Sequence, residues 1–443
     1  MAAVTSAAGV LSFVCVGVER ADGGLARVLG ASEPSGAWVR EGRGLIGFGV
    51  AAQTAASGAE RFAQLTRWWE SLQWKGTLPR RGTAEEDLPA GVGPVAVCSL
   101  TYSSASSAAS RLIVPELILM EDAGGTWLTG IAPGPGEVPL EGLLGRHGLA
   151  LEDGVLTAAH APAGIPSAEL RAGTHPEDHY LGAVEAGVAA IAGRRLEKLV
   201  LARDAVVAGE RPIPAGPLLA RLARDYAECW TYRAGDVLGA TPEMLVQIRG
   251  QELSARVLAG TVDRSMSAEQ ARERLLGDPK QRSEHALAVD SLLEQLAPVS
   301  TGLSAQSPPA VLELPNVYHL STDVTGRLRE SRGLSPLLVA ERAHPTAAIC
   351  GTPTATAAGL IGTLEELDRG PFSGPVGWVD IRGNADFGIA LRGGVLEDGG
   401  RQVRLYAGCG IVAGSEPASE LAETWAKMRP MLGALGVSGT PSP

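Results

Sequence analysis

Cysteine is scarce: five residues in 443 (Cys15, Cys98, Cys229, Cys350 and Cys409), odd in number, widely spaced and without a Cys-x-x-Cys pair. That pattern argues against a disulfide framework or a thiolate zinc site and points to a reducing, cytoplasmic setting. No Lys or Arg precedes Arg20, so the small apolar start lacks the basic end of a secretory signal and is not read as one. No apolar run reaches the roughly eighteen residues of a membrane-crossing helix, so no membrane association is expected. Basic charge is not in excess either. Lys and Arg number 38 against 49 Asp and Glu, a formal net charge of -11. Nucleic-acid binders are more often basic, and no such role is expected. Net acidity leaves room for a small anionic substrate, which needs only local positive charge. No repeat of fixed period is visible.

What is present is a 45% hydrophobic composition, enough for one large domain or two ordinary ones. Up to about Ala172 the chain mixes short strand-like runs with Gly/Pro turns. Leu45 to Val50 and Val95 to Leu100 read as strands. Ala59 to Leu72 reads as a helix, with Phe62, Leu65, Trp68, Trp69 and Leu72 at helical spacing toward a core. Pro79 to Pro94 reads as an exposed loop, with Glu85-Glu86-Asp87 as a solvated patch.

From about Gly173 the pattern strengthens. Tyr180, Val184, Val188 and Ile191 predict a helix, and Leu199 to Ala202 a strand. Asp278-Pro279-Lys280-Gln281 has the form of a helix start, with Asp as cap and Pro in the first turn, and the helix runs to about Leu296. Phe387, Ile389 and Leu391 alternate, so Asp386, Gly388, Ala390 and Arg392 fall on the opposite face. Val403, Leu405 and Ala407 form another strand, ending at Gly408-Cys409-Gly410, and a last helix begins near Ser415. Strands and helices mix without a βαβ beat, which favours an α+β class.

Several residues have the chemistry of a site, and each also has a plain structural reading. Glu420, Glu423 and Lys427 share one helix face, where two carboxylates can hold a hard divalent cation or simply form a solvated Glu-Lys face. Glu284 stands in the first turn of its helix, where a carboxylate ordinarily stabilises the dipole. Its neighbour His285 points elsewhere, so the two are not read as joint ligands. Lys198 begins a hydrophobic strand; it is a base at the end of a sheet or a flanking edge lysine. Glu243, after Thr241-Pro242, is a buried acid or a turn residue. Gly408 and Gly410 offer backbone N–H groups to an anion, a weak signal by themselves. These readings describe an α+β protein with scattered acids and an anion site, and they do not yet give a reaction.

The same residues sit in longer strings. Leu196-Glu197-Lys198-Leu199-Val200-Leu201-Ala202-Arg203 resembles the lysine strand of isochorismate synthases, a branch of the chorismate-utilising enzymes. Gly239-Ala240-Thr241-Pro242-Glu243, Ala259-Gly260-Thr261 and Lys280 to His285 with Val289-Asp290 resemble three further segments of that family. So do His344-Pro345-Thr346 with Gly351-Thr352-Pro353, Gly374 to Trp378, Ala407 to Val412, and Glu420-x-x-Glu423-x-x-x-Lys427. The resemblance runs in order from Leu196 to Lys427, with Ala347 where the family often has proline.

It implies an α+β fold of two intertwined subdomains, with a large antiparallel sheet core and outer helices. Residues 1–172 would be the variable N-terminal part, 173–433 the chorismate-binding catalytic part and 434–443 a tail. Lys198 would be the general base activating water for attack on ring carbon 2, and Glu243 the general acid for the hydroxyl leaving carbon 4. Glu284, Glu420 and Glu423 would hold Mg²⁺, which would meet the ring carboxylate. Arg392 and Lys427 would supply positive charge to the substrate. Gly260, Thr261 and the Gly408 backbone would add hydrogen bonds, and His319 would line the pocket. The substrate would be chorismate, and a monomer is the default expectation.

Two positions favour water addition, and a third favours isochorismate over salicylate as the end product. Lys198 is the water-activating lysine that anthranilate synthases lack. Ala259 stands where aminodeoxychorismate synthases carry a lysine. Phe372 stands where salicylate synthases, the nearest rival, carry a tyrosine. A chorismate-binding protein without catalysis would be expected to lose Lys198, Glu243 or a metal carboxylate, and all are present. Menaquinone and siderophore biosynthesis are both open as destinations.

Overall fold

In the strand Lys198–Gly209, alternation decides what faces where. Leu199 and Leu201 pack with Tyr180, Val184 and Ile191 of the helix Glu177–Ala192, and with Ala357 and Ile361 of the helix Thr354–Glu365. Lys198 and Val200 face the other way. This computed structural model describes residues 9–20, 23–79, 88–158, 164–263, 266–313, 317–329 and 334–437, except the side chains of residues 261, 263, 280, 284 and 317.

Two sheets dominate the described residues, one of thirteen strands and one of ten. The larger begins at Ala168–Ala172 and passes through Lys198–Gly209, Gln402–Ile411, Gly393–Glu397, Val237–Thr241 and Trp230–Ala234 before reaching N-terminal strands. The second passes from Ser300–Ala305 through Val317–Leu328, Glu252–Asp263, Met244–Arg249, Ala385–Ile389 and Pro375–Asp380 to Val95–Ser99 and its neighbours. Chain from both sides of residue 172 is woven into each sheet: Thr231 pairs with Val39 in one, and Val376 with Ser99 in the other. The ladders are antiparallel apart from Val10–Val18 against Gln73–Lys75. The class is therefore α+β with intertwined sheets.

The main core lies between the sheets, where Trp38, Leu45 and Tyr232 of one meet Val97, Trp378 and Phe387 of the other. Phe62, Phe387 and Tyr232 are fully buried, and each such side chain contributes about 1.5–3 kcal/mol of burial energy. A second core forms where the helices Gly24–Gly30, Ala215–Asp225 and Pro417–Leu435 cover the outer face of the larger sheet. No described helix is long and apolar enough to cross a membrane.

Most predicted elements stand within a few residues of their expected limits: Arg61–Ser71, Glu177–Ala192 and Pro279–Leu296 are helices. Two expectations are corrected. Leu88 to Pro94 is no exposed loop, because Leu88 and Val92 are buried and Arg382 donates to the carbonyls of Leu88 and Pro89; Glu85-Glu86-Asp87 lies outside the described residues. Arg392 does not share a strand face with Asp386, since that strand ends at Ile389.

Candidate active site

The site begins where the chain crosses between the sheets. It leaves the larger sheet at Thr241 and enters the second at Met244, with Pro242 and Glu243 at the crossing. The Thr241 hydroxyl accepts from the Glu243 N–H at 3.2 Å, and the Glu243 carbonyl accepts from Ile389 at 3.1 Å. Beside it the chain returns: Ala385–Ile389 belongs to the second sheet and Gly393–Glu397 to the larger. Arg392 makes this turn with φ 50°, and its carbonyl accepts from Ala240 at 3.2 Å. Two adjacent crossings thus bring an acid and a guanidinium to the wall of one cavity of about 790 Å³.

Lys198 enters the same cavity from the start of the strand Lys198–Gly209 in the larger sheet. Val200 pairs with Gly410 and Ala202 with Gly408, so both glycines face the cavity beside the lysine. A Cβ on Gly410 would stand 2.9 Å from Lys198 Cε, so the glycine makes the space in which this side chain lies.

The opposite wall comes from the second sheet. The pairing of Glu252–Asp263 with Val317–Leu328 slips between Ala259 and Thr261, leaving Gly260 as a bulge residue with φ +79°. Bulges re-aim neighbouring groups, and glycine takes this left-handed conformation at little cost. His319, opposite Thr261 in the register, lines the cavity and hydrogen-bonds the Gly260 backbone. His285 is buried, 3.0 Å from the Ala259 carbonyl and 2.7 Å from the Thr322 hydroxyl. It docks the first turns of Pro279–Leu296 on this wall, where Gln281 reaches the cavity. Glu284 lies on that helix and Thr261 on the strand; both side chains fall outside the described residues.

The helix Pro417–Leu435 supplies the remaining wall. Lys427 donates to the Gly408 carbonyl at 2.7 Å and forms an ion pair with Glu423 at 2.7 Å. The Gly408 contact seen here is therefore its carbonyl accepting from lysine. Both Glu423 and Lys427 line the cavity; Glu420 is one turn back, beside Glu423. Ligand atoms of Glu420, Glu423 and Cys409 lie within 4.8 Å of one another. Burial pushes the Cys409 thiol up to about 12, so it stays protonated and donates to the Glu420 carbonyl at 3.3 Å. The two carboxylates are then the hard donors of this group, and they fit a magnesium-like cation better than a soft one.

Enclosure sets the charges. Burial raises the Glu243 carboxyl to about 7, against the opposing pull of Lys198, Arg392 and Lys427. Burial lowers His319 to about 4, helped by the positive charge of Arg392 and Lys427, so its ring is neutral near pH 7. At Glu423 burial acts upward, but Lys427 outweighs it and holds the carboxyl below its usual range. Glu420 is raised, first by burial and also by the charge of Glu423.

Tyr406 is a wall residue that the motifs did not single out. Its ring stacks on Phe372 with centroids 5.2 Å apart and planes at 11°. The signal was available, because Tyr406 alternates with Gly408 and Gly410 on one strand face.

A family model described as chorismate binding enzyme matches residues 38–436. The chain is 30% identical over 413 residues to the isochorismate synthase MenF of Bacillus subtilis (strain 168), covering 88% of this chain and 85% of that protein. It is 37% identical over 276 residues to the isochorismate synthase DhbC of the same organism, covering 59% of this chain and 68% of that one. Among solved structures, the menaquinone-specific isochorismate synthase MenF from Escherichia coli superimposes with a TM-score of 0.74, covering 96% of this chain and 94% of that chain at 22% identity. At that identity the likeness speaks for the fold.

Proposed function

The chain belongs to the family of chorismate binding enzymes, and from that premise we propose that it is an isomerase converting chorismate to isochorismate. The observation that carries the reading is an amine and a carboxyl, Lys198 and Glu243, on the wall of one cavity, with the carboxyl raised to about 7. A group that takes a proton and a group that gives one are what exchange of one hydroxyl for another requires.

Lys198 takes a proton from water as its oxygen bonds to ring carbon 2. The ring double bonds shift and the bond from carbon 4 to its hydroxyl breaks. Glu243 gives its proton to the departing oxygen, which leaves as water. One water enters and one leaves, so the product is an isomer. Arg392 and Lys427 offset the charge of a dianionic substrate. His319, neutral near pH 7, hydrogen-bonds without adding charge.

The carboxylates Glu420 and Glu423 fit Mg²⁺, and Glu284 completes the proposed set from the facing helix. The elevation of Glu420 by burial and by Glu423 is the sort of strain a bound dication relieves. When bound, Mg²⁺ supplies positive charge against the ring carboxylate.

The test is product analysis of the purified protein with chorismate and Mg²⁺. Isochorismate as the sole product is expected. Salicylate with pyruvate would move the reading to a salicylate synthase, and binding without turnover to a non-catalytic chorismate-binding protein.

A further inference from the structure

A second group of ligand-bearing side chains lies away from the cavity. His175 and His179 bracket the start of the helix Glu177–Ala192, their rings stacked with centroids 4.2 Å apart. His175 Nε2 is 2.9 Å from the Glu366 carbonyl oxygen, and His179 Nε2 is 3.1 Å from that of Glu365. A carbonyl cannot donate, so each Nε2 is the donor, and in the neutral ring the lone pair is on Nδ1. Metal-binding imidazoles are oriented by this kind of contact. The Glu366 carboxylate completes the group: one ligand atom from each of the three lies within 4.8 Å of the other two. The histidines are half-buried and the glutamate is exposed, so a dissolved ion has an approach. Glu366 also ends the helix Thr354–Glu365 in the left-handed region, with φ 46°, where glycine is the common residue.

We propose that His175, His179 and Glu366 bind a first-row transition dication such as zinc, at a site separate from the carboxylates Glu420 and Glu423. The donor set decides the class of ion. Two imidazoles and one carboxylate suit zinc, cobalt, nickel or copper, whereas magnesium prefers oxygen donors and keeps its water. Three protein ligands leave a position for solvent. The helix N-terminus beside the site acts against a cation and weakens binding by about two- to fivefold.

Occupancy has a structural consequence. It joins the start of one helix to the end of another, whose last residue, Glu365, accepts from the Ala202 N–H at 2.7 Å and pairs with buried Arg369. Ala202 lies on the same strand as Lys198, so the ion would brace the outer side of the strand that carries the amine.

The test uses the full chain, free of any histidine tag, stripped with chelator and held in saturating Mg²⁺. Co²⁺ is titrated while its visible absorption is followed, and Zn²⁺ by calorimetry. The wild type is expected to bind a single equivalent and to unfold at a higher temperature with Zn²⁺. His175→Ala and His179→Ala should each weaken binding about 100-fold, while Glu420→Gln leaves it unchanged. Should the histidine variants fold poorly without metal, Glu366→Gln at an exposed residue serves instead, with a loss of about tenfold expected. Absence of binding to the wild type, or binding that survives these substitutions, overturns the proposal.

Discussion

Gly410 and Lys198 lie on one face of two paired strands, the glycine opposite Val200: a Cβ on the glycine would come within 2.9 Å of the lysine Cε and 3.5 Å of its Nζ. The obstacle is the far end of a flexible side chain, so the lysine can move and the backbone need not. Gly410→Ala is therefore expected to fold with stability within about 1 kcal/mol of wild type. Misplacing a reacting group by about 1 Å costs on the order of 100-fold in rate. Steady-state kinetics should show that loss in kcat with chorismate binding retained. Unchanged kcat would mean that the position of this amine does not matter to turnover.

Removing the amine tests the role itself. Lys198→Ala is expected to abolish isochorismate formation while Mg²⁺-dependent chorismate binding, measured by calorimetry, persists. Turnover at the wild-type rate would remove Lys198 as the base. Loss of binding along with turnover would make it a substrate-charge residue instead.

Glu243 gives a prediction in pH. Its carboxyl is raised to about 7, so as the proposed general acid it is competent below that value and ionised above it. The kcat/KM profile should fall as pH rises through about 7, and Glu243→Gln should lose both activity and that limb. The stability sign follows from the same shift. The folded state holds a proton that the unfolded carboxyl releases near its ordinary value, so stability falls as pH rises from about 4.5 to about 7. The glutamine variant should escape that fall, gaining on the order of 1–3 kcal/mol on the wild type at pH 8 relative to pH 5. Parallel denaturation curves for the two proteins at these pH values would refute it.

How far the sequence could be read is clearest at Lys198 and Arg392. Lys198 precedes an unbroken apolar run, and the period-two rule aims it correctly once the strand is recognised. Arg392 follows the alternation of Phe387, Ile389 and Leu391, and the same rule misplaces it. The chain leaves one sheet at Ile389 and joins the other at Gly393, a long-range pairing that no local pattern encodes. Leu88 to Pro94 misleads for a related reason. Its Gly and Pro suggest solvent, but Asp380 accepts from Gly91 at 3.1 Å and Arg382 holds two carbonyls, so distant partners satisfy a buried backbone. His175 and His179 are four residues apart, but their carboxylate partner Glu366 caps the end of a helix far along the chain.

Behind the cavity, Arg369 and Glu365 form an ion pair with both side chains 2% exposed or less. Arg369 also donates to the carbonyls of Ile349 at 3.0 Å and Val200 at 2.8 Å, two residues whose other side lines the cavity. Removing one partner of a buried pair leaves the other charge uncompensated, which costs about 3–5 kcal/mol. Glu365→Gln should lower the free energy of unfolding, read from denaturant titration, by that amount. A loss below about 1 kcal/mol would show that solvent reaches the guanidinium.

Glu423 bears two demands at once: its carboxylate pairs with Lys427 at 2.7 Å and stands beside Glu420 in the proposed cation group. Glu423→Gln keeps the shape and removes one negative charge. A hard dication loses a charged oxygen donor, so the Mg²⁺ concentration for half-maximal activity should rise about 10- to 100-fold. Lys427 meanwhile keeps its bond to the Gly408 carbonyl, so the wall itself should stand. Titrating Mg²⁺ at saturating chorismate separates the two roles. A raised Mg²⁺ requirement with near-normal maximal rate marks a ligand. An unchanged requirement with a lower rate would assign Glu423 to holding Lys427 in place, and the cation would have to be sought elsewhere.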